Sequence, residues 1–321
     1  MEVAKAPLAC RVCHTPHQNP PVVAREMMFG LREPFHYFEC ARCGCLHIDN
    51  IPEDLSRHYP NCYYSHLPLR DSALKSYLKR RWLQHHGGKP NLLGWALSRL
   101  KGVPWFPESL RRVSRTAALL DVGCGTGLML LQLRDAGFGD LTGVDPYIER
   151  DLHYRGRVTV LKRSLSAVAR TYDLVMLHHS FEHVESPHET LRELFRLVAP
   201  DGAVLIRMPV ARCHAWELYG TDWVQIDAPR HLIVHSEESM RLLARTAGFE
   251  VTEVVYDSTA FQFWGSVQYQ QDIPLWSERS YVVNPRRSPF TAAQIRAWDD
   301  QAEELNAAGR GDQACFYLRK T

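Results

Sequence analysis

Long apolar runs are missing from this 321-residue sequence, and no stretch has the uninterrupted length that a bilayer span needs. Its first residues, MEVAKAPLACRVC, lack the apolar core of a secretory leader, so the expected location is cytoplasmic. Charge of one sign is scarce too. The 38 Lys and Arg nearly balance 36 Asp and Glu, and a net charge of +2 makes no general case for nucleic acid or an acidic partner. The nine cysteines are odd in number, with four of them in two C-x-x-C pairs, which argues against a disulfide framework and for a reducing compartment. What remains is an ordinary globular composition, 45% hydrophobic, in a chain long enough for one large domain and a small one.

The chain is organised around Leu119 to Leu130, LLDVGCGTGLML. A short apolar run ending in Asp121 leads into glycines at 123, 125 and 127, and then into an apolar run of helical type: a buried strand, a tight turn and a helix. Alternate glycines permit positive φ and let a ligand lie against bare backbone. The dinucleotide fingerprint needs its third glycine one place further on, where Leu128 stands, and its turn cradles a pyrophosphate that Asp121 would repel. Asp121 suits a ligand with an ammonium group. In LTGVDPY, Asp145 ends the next apolar strand, where a carboxylate can accept both hydroxyls of a ribose.

Together D-x-G-x-G-x-G and V-D resemble the class I S-adenosylmethionine-dependent methyltransferases. The resemblance implies an α/β, Rossmann-like sheet of seven strands whose last strand runs antiparallel. It also implies S-adenosyl-L-methionine as cofactor, at a site built from Asp121, Gly123, Cys124, Gly125, Gly127, Asp145, Pro146, Leu165 and His178. Family members carry an acid beside the adenine after the third strand, whereas this chain has Arg163 and Ser164, so backbone near Leu165 is the expected partner.

Ahead of this domain, Cys10-Arg-Val-Cys13 and Cys40-Ala-Arg-Cys43 present two thiolate pairs, a set suited to tetrahedral Zn2+. His14, Cys45 and His47 are rival ligands. A hairpin including Phe35 to Glu39 would absorb the residues between the pairs. A structural ribbon is favoured over a nucleic-acid-reading or catalytic zinc, because four thiolates leave no open position. The stretch CGCLHIDNIPEDLSRHYPNCYYSH, with Tyr63 and Tyr64, resembles the N-terminus of bacterial methyltransferases of polysaccharide and secondary-metabolite pathways. The division is therefore residues 1–65 zinc ribbon, 66–117 basic helical connector and 118–321 methyltransferase domain, with 257–313 a lid insertion between strands six and seven.

Residues 66–116 carry 11 Lys or Arg against Asp71 and Glu108, a local +9. SALKSYLKRRWLQHH, LLGWALSRLKG and PESLRRVSR read as short helices broken by Gly87, Gly88, Pro90, Pro104 and Pro107. One reading is a solvated connector. The other is an amphipathic surface using Trp82, Trp95 and Trp105 for weak peripheral contact with anionic lipid.

Tyr172 to Leu177 reads as the fourth parallel strand, and Pro187 to Ala199 as the helix after it. His178, His179, Ser180, Glu182 and His183 then lie at the mouth of the crevice outside the strand ends. His179-Ser-Phe-Glu182-His183 matches a zinc-peptidase pattern in letters only, since that motif needs one continuous helix. The Glu182-His183 pair resembles that of ubiquinone-pathway O-methyltransferases. His183 is the candidate general base, oriented by Glu182; in the competing reading Glu182 caps the helix and His183 packs under the cofactor. DGAVLIRMPV is strand five. Further on, Arg230 and His231 are expected to enter the acceptor pocket, making His231 a second candidate base. Ser236 is expected to cap the next helix without a full capping box, because Ser239 stands where Glu or Gln belongs. Phe261, Phe263, Trp264, Gln268 and Tyr269 open the insertion with a composition suited to stacking on a polyhydroxylated ring; the competing reading, favoured for each aromatic taken singly, is ordinary packing onto the sheet.

The function expected is methyl transfer to a hydroxyl of a glycan precursor or small hydroxylated metabolite. Sugar C-methylation is the closest variant. An RNA or DNA methyltransferase is the further alternative, suggested by the ribbon and the basic connector; no N/D-P-P-Y/F motif follows strand four, and no nucleic-acid partner is expected.

Overall fold

In the computed structural model, residues 9–16, 19–59, 73–102, 104, 110 and 113–321 are described. Tyr63, Tyr64, Trp105 and most of PESLRRVSR lie outside the described residues. Two sheets organise the chain. The larger takes the order β11 (Phe249–Tyr256), β12 (Gln313–Lys320), β9 (Val198–Pro209), β8 (Tyr172–His178), β4 (Ala118–Val122), β5 (Asp140–Val144), β7 (Val158–Leu161), β6 (Leu152–Tyr154). Pairing is parallel from β9 through β7, and antiparallel at β12 against β9 and β11. These are the seven expected strands. An eighth, three-residue β6 pairs antiparallel with β7 and closes that edge.

The parallel strands are apolar on both faces because both faces are covered. Leu119, Leu174, Met176 and Leu205 pack into one core and their neighbours Leu120, Val175, Leu177, Val204 and Ile206 into another. On the first face lie α3 (Leu128–Asp135) and α1 (Ala73–His86), whose Leu83 is fully buried among them. A Cβ on Gly87, just after α1, would stand 2.1 Å from the Ala136 carbonyl. On the second face lie α4 (Pro187–Leu197) and α6 (Glu237–Thr246). Their apolar positions recur at helical spacing, Leu191, Leu194 and Leu197 on α4 and Met240, Leu243 and Ala244 on α6. In the connector, α2 (Leu92–Lys101) leaves Leu92, Trp95 and Leu100 exposed, with the Arg99 guanidinium 5.0 Å over the Trp95 ring. No helix among the described residues is long and apolar enough to cross a membrane.

The smaller sheet joins β1 (Val22–Arg25), β2 (Pro34–Glu39) and β3 (Leu46–Ile48) to β10 (Ile233–Val234), all antiparallel. Its fourth strand thus comes from far along the chain, at the threshold of α6. The region expected as a lid folds into α7 (Phe261–Gln270) and α8 (Ala292–Ala307). Of the two readings of its aromatics, packing is the one observed: α7 is enclosed on nearly all sides, with Phe263 stacked on Trp298 at 6.2 Å. The Gln268 amide is spent holding Ser280 and the Tyr281 backbone.

Ser236 caps α6 and does so with a complete reciprocal box, contrary to the sequence expectation. Its side chain accepts from Ser239 N and the Ser239 hydroxyl accepts from Ser236 N, each at 3.0 Å. The Ser239 hydroxyl that completes the box is itself fully buried. The Ser236 hydroxyl also donates to the Cys43 carbonyl, tying the helix to the second cysteine knuckle. Ser239→Ala should lower unfolding free energy by about 1 kcal/mol, measured by urea denaturation, with the fold retained.

Candidate active site

The chain leaves β4 for β5 and β7 on one side and returns to β8 and β9 on the other, so strand order reverses between β4 and β8. A crevice outside the carboxyl ends of these strands is the expected ligand seat in such a sheet. The glycine turn sits there, with Gly123, Gly125 and Gly127 at φ +71°, +52° and +82°. A Cβ on Gly123 would lie 2.6 Å from Ser180 Cβ, and one on Gly127 2.7 Å from Val160 Cγ2, so side chains are excluded by crowding as well as by φ. Gly143, on the adjacent strand, makes room for Cys124, whose Sγ would be 2.4 Å from an added Cβ.

Asp121 and Asp145 flank the turn, both buried. Asp145 Oδ2 accepts from Gly125 N at 2.8 Å and Oδ1 from Tyr147 N at 2.9 Å, which fixes the carboxylate while leaving a second lone pair on each oxygen for a diol. Burial, and then the charge of Asp145, push Asp121 up to about 8. A cation placed against it would reverse the second cause. The Cys124 thiol is pushed well up by burial and by the same two acids, so it stays protonated. Burial, then Arg207 and His179, push His178 at the end of β8 down to about 3, leaving it neutral. Pro146 is exposed beyond Asp145, and Leu165 is half-buried in a short 3-10 turn past β7. Together these residues fit a nucleoside whose other end is cationic.

The loop after β8 is tied to the turn through the Ser180 hydroxyl, which donates to the Val122 carbonyl at 2.9 Å. His179 takes a positive φ of 49°, and Phe181–His183 form a 3-10 turn. Glu182 is fully buried; His179 Nδ1 stands 3.4 Å and His231 Nε2 3.9 Å from its Oε1. Burial would raise this carboxyl, but the His179 contact and the neighbouring imidazoles bring it down to about 2. Burial, then His231, push His183 down, so it is neutral and able to take a proton at neutral pH.

The tautomers follow from the partners. His183 Nδ1 lies 2.8 Å from the Arg230 carbonyl, and His231 Nδ1 2.8 Å from the Gln225 carbonyl. A carbonyl only accepts, so each ring carries a proton on Nδ1, and neutral His183 keeps its lone pair on Nε2. Ligand atoms of Glu182, His183 and His231 all lie within 4.8 Å of one another, a set able to hold a divalent cation.

Two roles expected from sequence are corrected. His183 is oriented by the Arg230 carbonyl and by the Tyr59 hydroxyl, 3.2 Å from Nδ1, and not by Glu182. Arg230 does not enter a pocket: it is fully buried and bonded to Asp227 and Glu26. Tyr59, Asp227 and Glu26 were not singled out as contributors by sequence reasoning, whereas His179 stands where it was expected, at the mouth of the crevice. Of the unexpected residues, only Asp227 leaves a local trace, three residues before Arg230.

At the N-terminus, Cys10, Cys13, Cys40 and Cys43 converge within the same 4.8 Å limit. Sulfur separations of 3.6 Å for Cys10 to Cys43 and 3.5 Å for Cys13 to Cys40 are near the roughly 3.8 Å edge of a tetrahedral zinc-thiolate site. Of the rivals, buried Cys45 lies 3.5 Å from both Cys10 and Cys43, while His14 stacks on His188 at 5.3 Å.

A family model described as a methyltransferase domain matches residues 94–254. Among curated proteins the chain is similar to the ubiquinone biosynthesis O-methyltransferase of Pseudomonas fluorescens Pf0-1, 29% identical over 143 residues, covering 40% of this chain and 60% of that one. The Pf-5 protein of the same name is 28% identical over 174 residues, 48% of this chain and 72% of its own. This chain therefore spans between three-fifths and three-quarters of the length of those two relatives. Among solved structures, Burkholderia thailandensis 1,6-didemethyltoxoflavin-N1-methyltransferase aligns at a TM-score of 0.41 and 14% identity, over 88% of this chain and 98% of that one. Mycolic acid cyclopropane synthase CmaA1 aligns at 0.42 and 19%, over 64% and 78%.

An acid raised on folding contributes stability that is present below its unfolded pKa and lost as pH rises through its folded one. For Asp121 that window runs from about 4 to about 8. Thermal melts of the ligand-free protein should fall across it, and Asp121→Asn should flatten the fall. Purified protein should contain one zinc per chain by plasma mass spectrometry, lost in the double variant Cys13→Ser, Cys40→Ser.

Proposed function

We propose, from the premise that this chain belongs to the methyltransferase-domain family and is a class I S-adenosylmethionine-dependent methyltransferase, that it methylates a hydroxyl of a glycan precursor or small hydroxylated metabolite. The observation that carries this reading is a neutral His183, its Nδ1 held by the Arg230 carbonyl, that shares a recess with buried Glu182 and His231 in a loop hydrogen-bonded to the glycine turn through Ser180. The cofactor, when bound, supplies an electrophilic methyl carbon on a sulfonium. In this reading Asp145 would take its ribose diol and Asp121 would face its cationic end. The protein's remaining work is to align an acceptor oxygen and remove its proton. His183 Nε2 takes that proton as the oxygen becomes the nucleophile, and ionised Glu182 stabilises the resulting imidazolium across the recess. We assign the four thiolates to a structural Zn2+, since the set is complete without a water.

A second reading is favoured by the same convergence. With a divalent cation on Glu182, His183 and His231, the metal would lower the acceptor hydroxyl's pKa and the histidines would be ligands instead of bases. The two differ in their response to chelator.

The test is a screen of hydroxylated sugars, nucleotide sugars and phenols for S-adenosylhomocysteine release. With a working acceptor, His183→Ala should lower kcat by about 100-fold or more while cofactor affinity measured by calorimetry stays as in wild type. Full turnover in that variant removes the base role. Loss of turnover on dialysis against EDTA, restored by added Mg2+ or Mn2+, moves the assignment to the metal reading.

A further inference from the structure

Among the largest fully buried side chains of the described residues, Arg230 is the one that carries a charge. Its Nε and Nη2 donate to the two oxygens of Asp227 at 2.9 and 2.6 Å. Nη2 also donates to Glu26 Oε1 at 3.0 Å, and Nη1 to the His58 carbonyl at 3.2 Å. Glu26 is fully buried as well, and belongs to the ribbon. Its Oε1 accepts from Phe29 N at 3.0 Å and its Oε2 from Leu31 N at 2.9 Å, so the loop between β1 and β2 is wound around this one carboxylate.

The residues that follow are gripped in the same manner. The Tyr37 hydroxyl, on β2, donates to the His231 carbonyl at 2.9 Å. Leu232 gives its carbonyl to Ile48 N at 3.0 Å, and Ile233 pairs with His47. Every residue from 230 to 233 is thus held by a ribbon group, and this segment carries His231 and supplies the carbonyl that orients His183. A ribbon that served only to fold the N-terminus would need none of these polar contacts. Burying a charged pair of this kind is a costly way to join two units, and it fixes geometry more than it adds stability.

We propose that the ribbon is a working part of the acceptor site, and that Glu26 and Tyr37 are positioning residues that set the place and tautomer of His183 and His231. Glu26→Gln keeps the size of the side chain but leaves Arg230 with one buried counter-charge. The guanidinium then re-centres on Asp227, and the Arg230 carbonyl shifts against the His183 ring. Tyr37→Phe removes a single hydrogen bond from the His231 carbonyl.

The activity arm of the test rests on the hydroxyl-methylation reading; the spectroscopic arm needs no acceptor. Ring 15N-labelled histidine in the full-length protein should report Nδ1–H tautomers for His183 and His231 in wild type. In Glu26→Gln both should move toward mixed tautomers while affinity for S-adenosylmethionine stays within about twofold. With a working acceptor, kcat should fall about tenfold or more, since displacements of an ångström cost this much. Wild-type tautomers together with unchanged kcat, in a variant that binds cofactor normally, would overturn the proposal. If Glu26→Gln does not bind cofactor, Tyr37→Phe decides on the same readouts. If no acceptor is turned over by wild type, that counts against the acceptor reading, and the tautomers alone decide the role of the ribbon.

Discussion

Leu232 accepts and donates in two directions at once. Its N–H goes to the Glu182 carbonyl at 2.9 Å, and its carbonyl takes the Ile48 N–H at 3.0 Å. The 3-10 turn carrying Glu182 and His183 therefore hangs from the residue just ahead of β10, which the smaller sheet holds through Ile48. Buried backbone groups must be paired, and here the pairing leaves little freedom to slide one sheet against the other. The imidazole positions, the Arg230 cluster and the cap of α6 all follow from that shared segment.

The crevice is divided by its acids. Asp121 has another acid for a neighbour and is held up to about 8, whereas Glu182 has imidazoles for neighbours and is held near 2. Two carboxyls with equally little exposure thus respond in opposite senses, and the neighbours decide the sign. One side of the site is ready for a positive charge to arrive; the other already holds an anion that a protonated imidazole or a cation can balance. His178, neutral at the end of β8, adds no charge of its own.

Much of this was legible from residue order. The glycine spacing, the two acids at strand ends and the alternation of apolar strands with helical patterns locate the parallel sheet and the turn, because each is a local pattern with a local cause. The Arg230 cluster was not legible. Glu26 stands in AREMMFG as one acid in a mixed loop, and its partner is 204 positions away, where no periodicity can point to it. Tyr59 reaches His183 across 124 positions for the same reason. At α7 composition left ring stacking and core packing both open: aromatic and amide residues on a helix enclosed from nearly every side serve the core, and a sequence does not reveal how many sides are enclosed. At Ser239 the expected residue type was too narrow. A hydroxyl at that position completes the box because the helix start is buried against the second cysteine knuckle.

The pairing of Ile233 with His47 also governs the order in which the protein can be made. Chain synthesis delivers β1, β2 and β3 early, but the strand that completes their sheet is about 185 residues behind. Until then the outer rim of β3 presents unsatisfied N–H and carbonyl groups to whatever strand it meets. Both cysteine knuckles lie within this early segment, so the nascent sheet is a half-finished template that only the arrival of residues 233 and 234 completes.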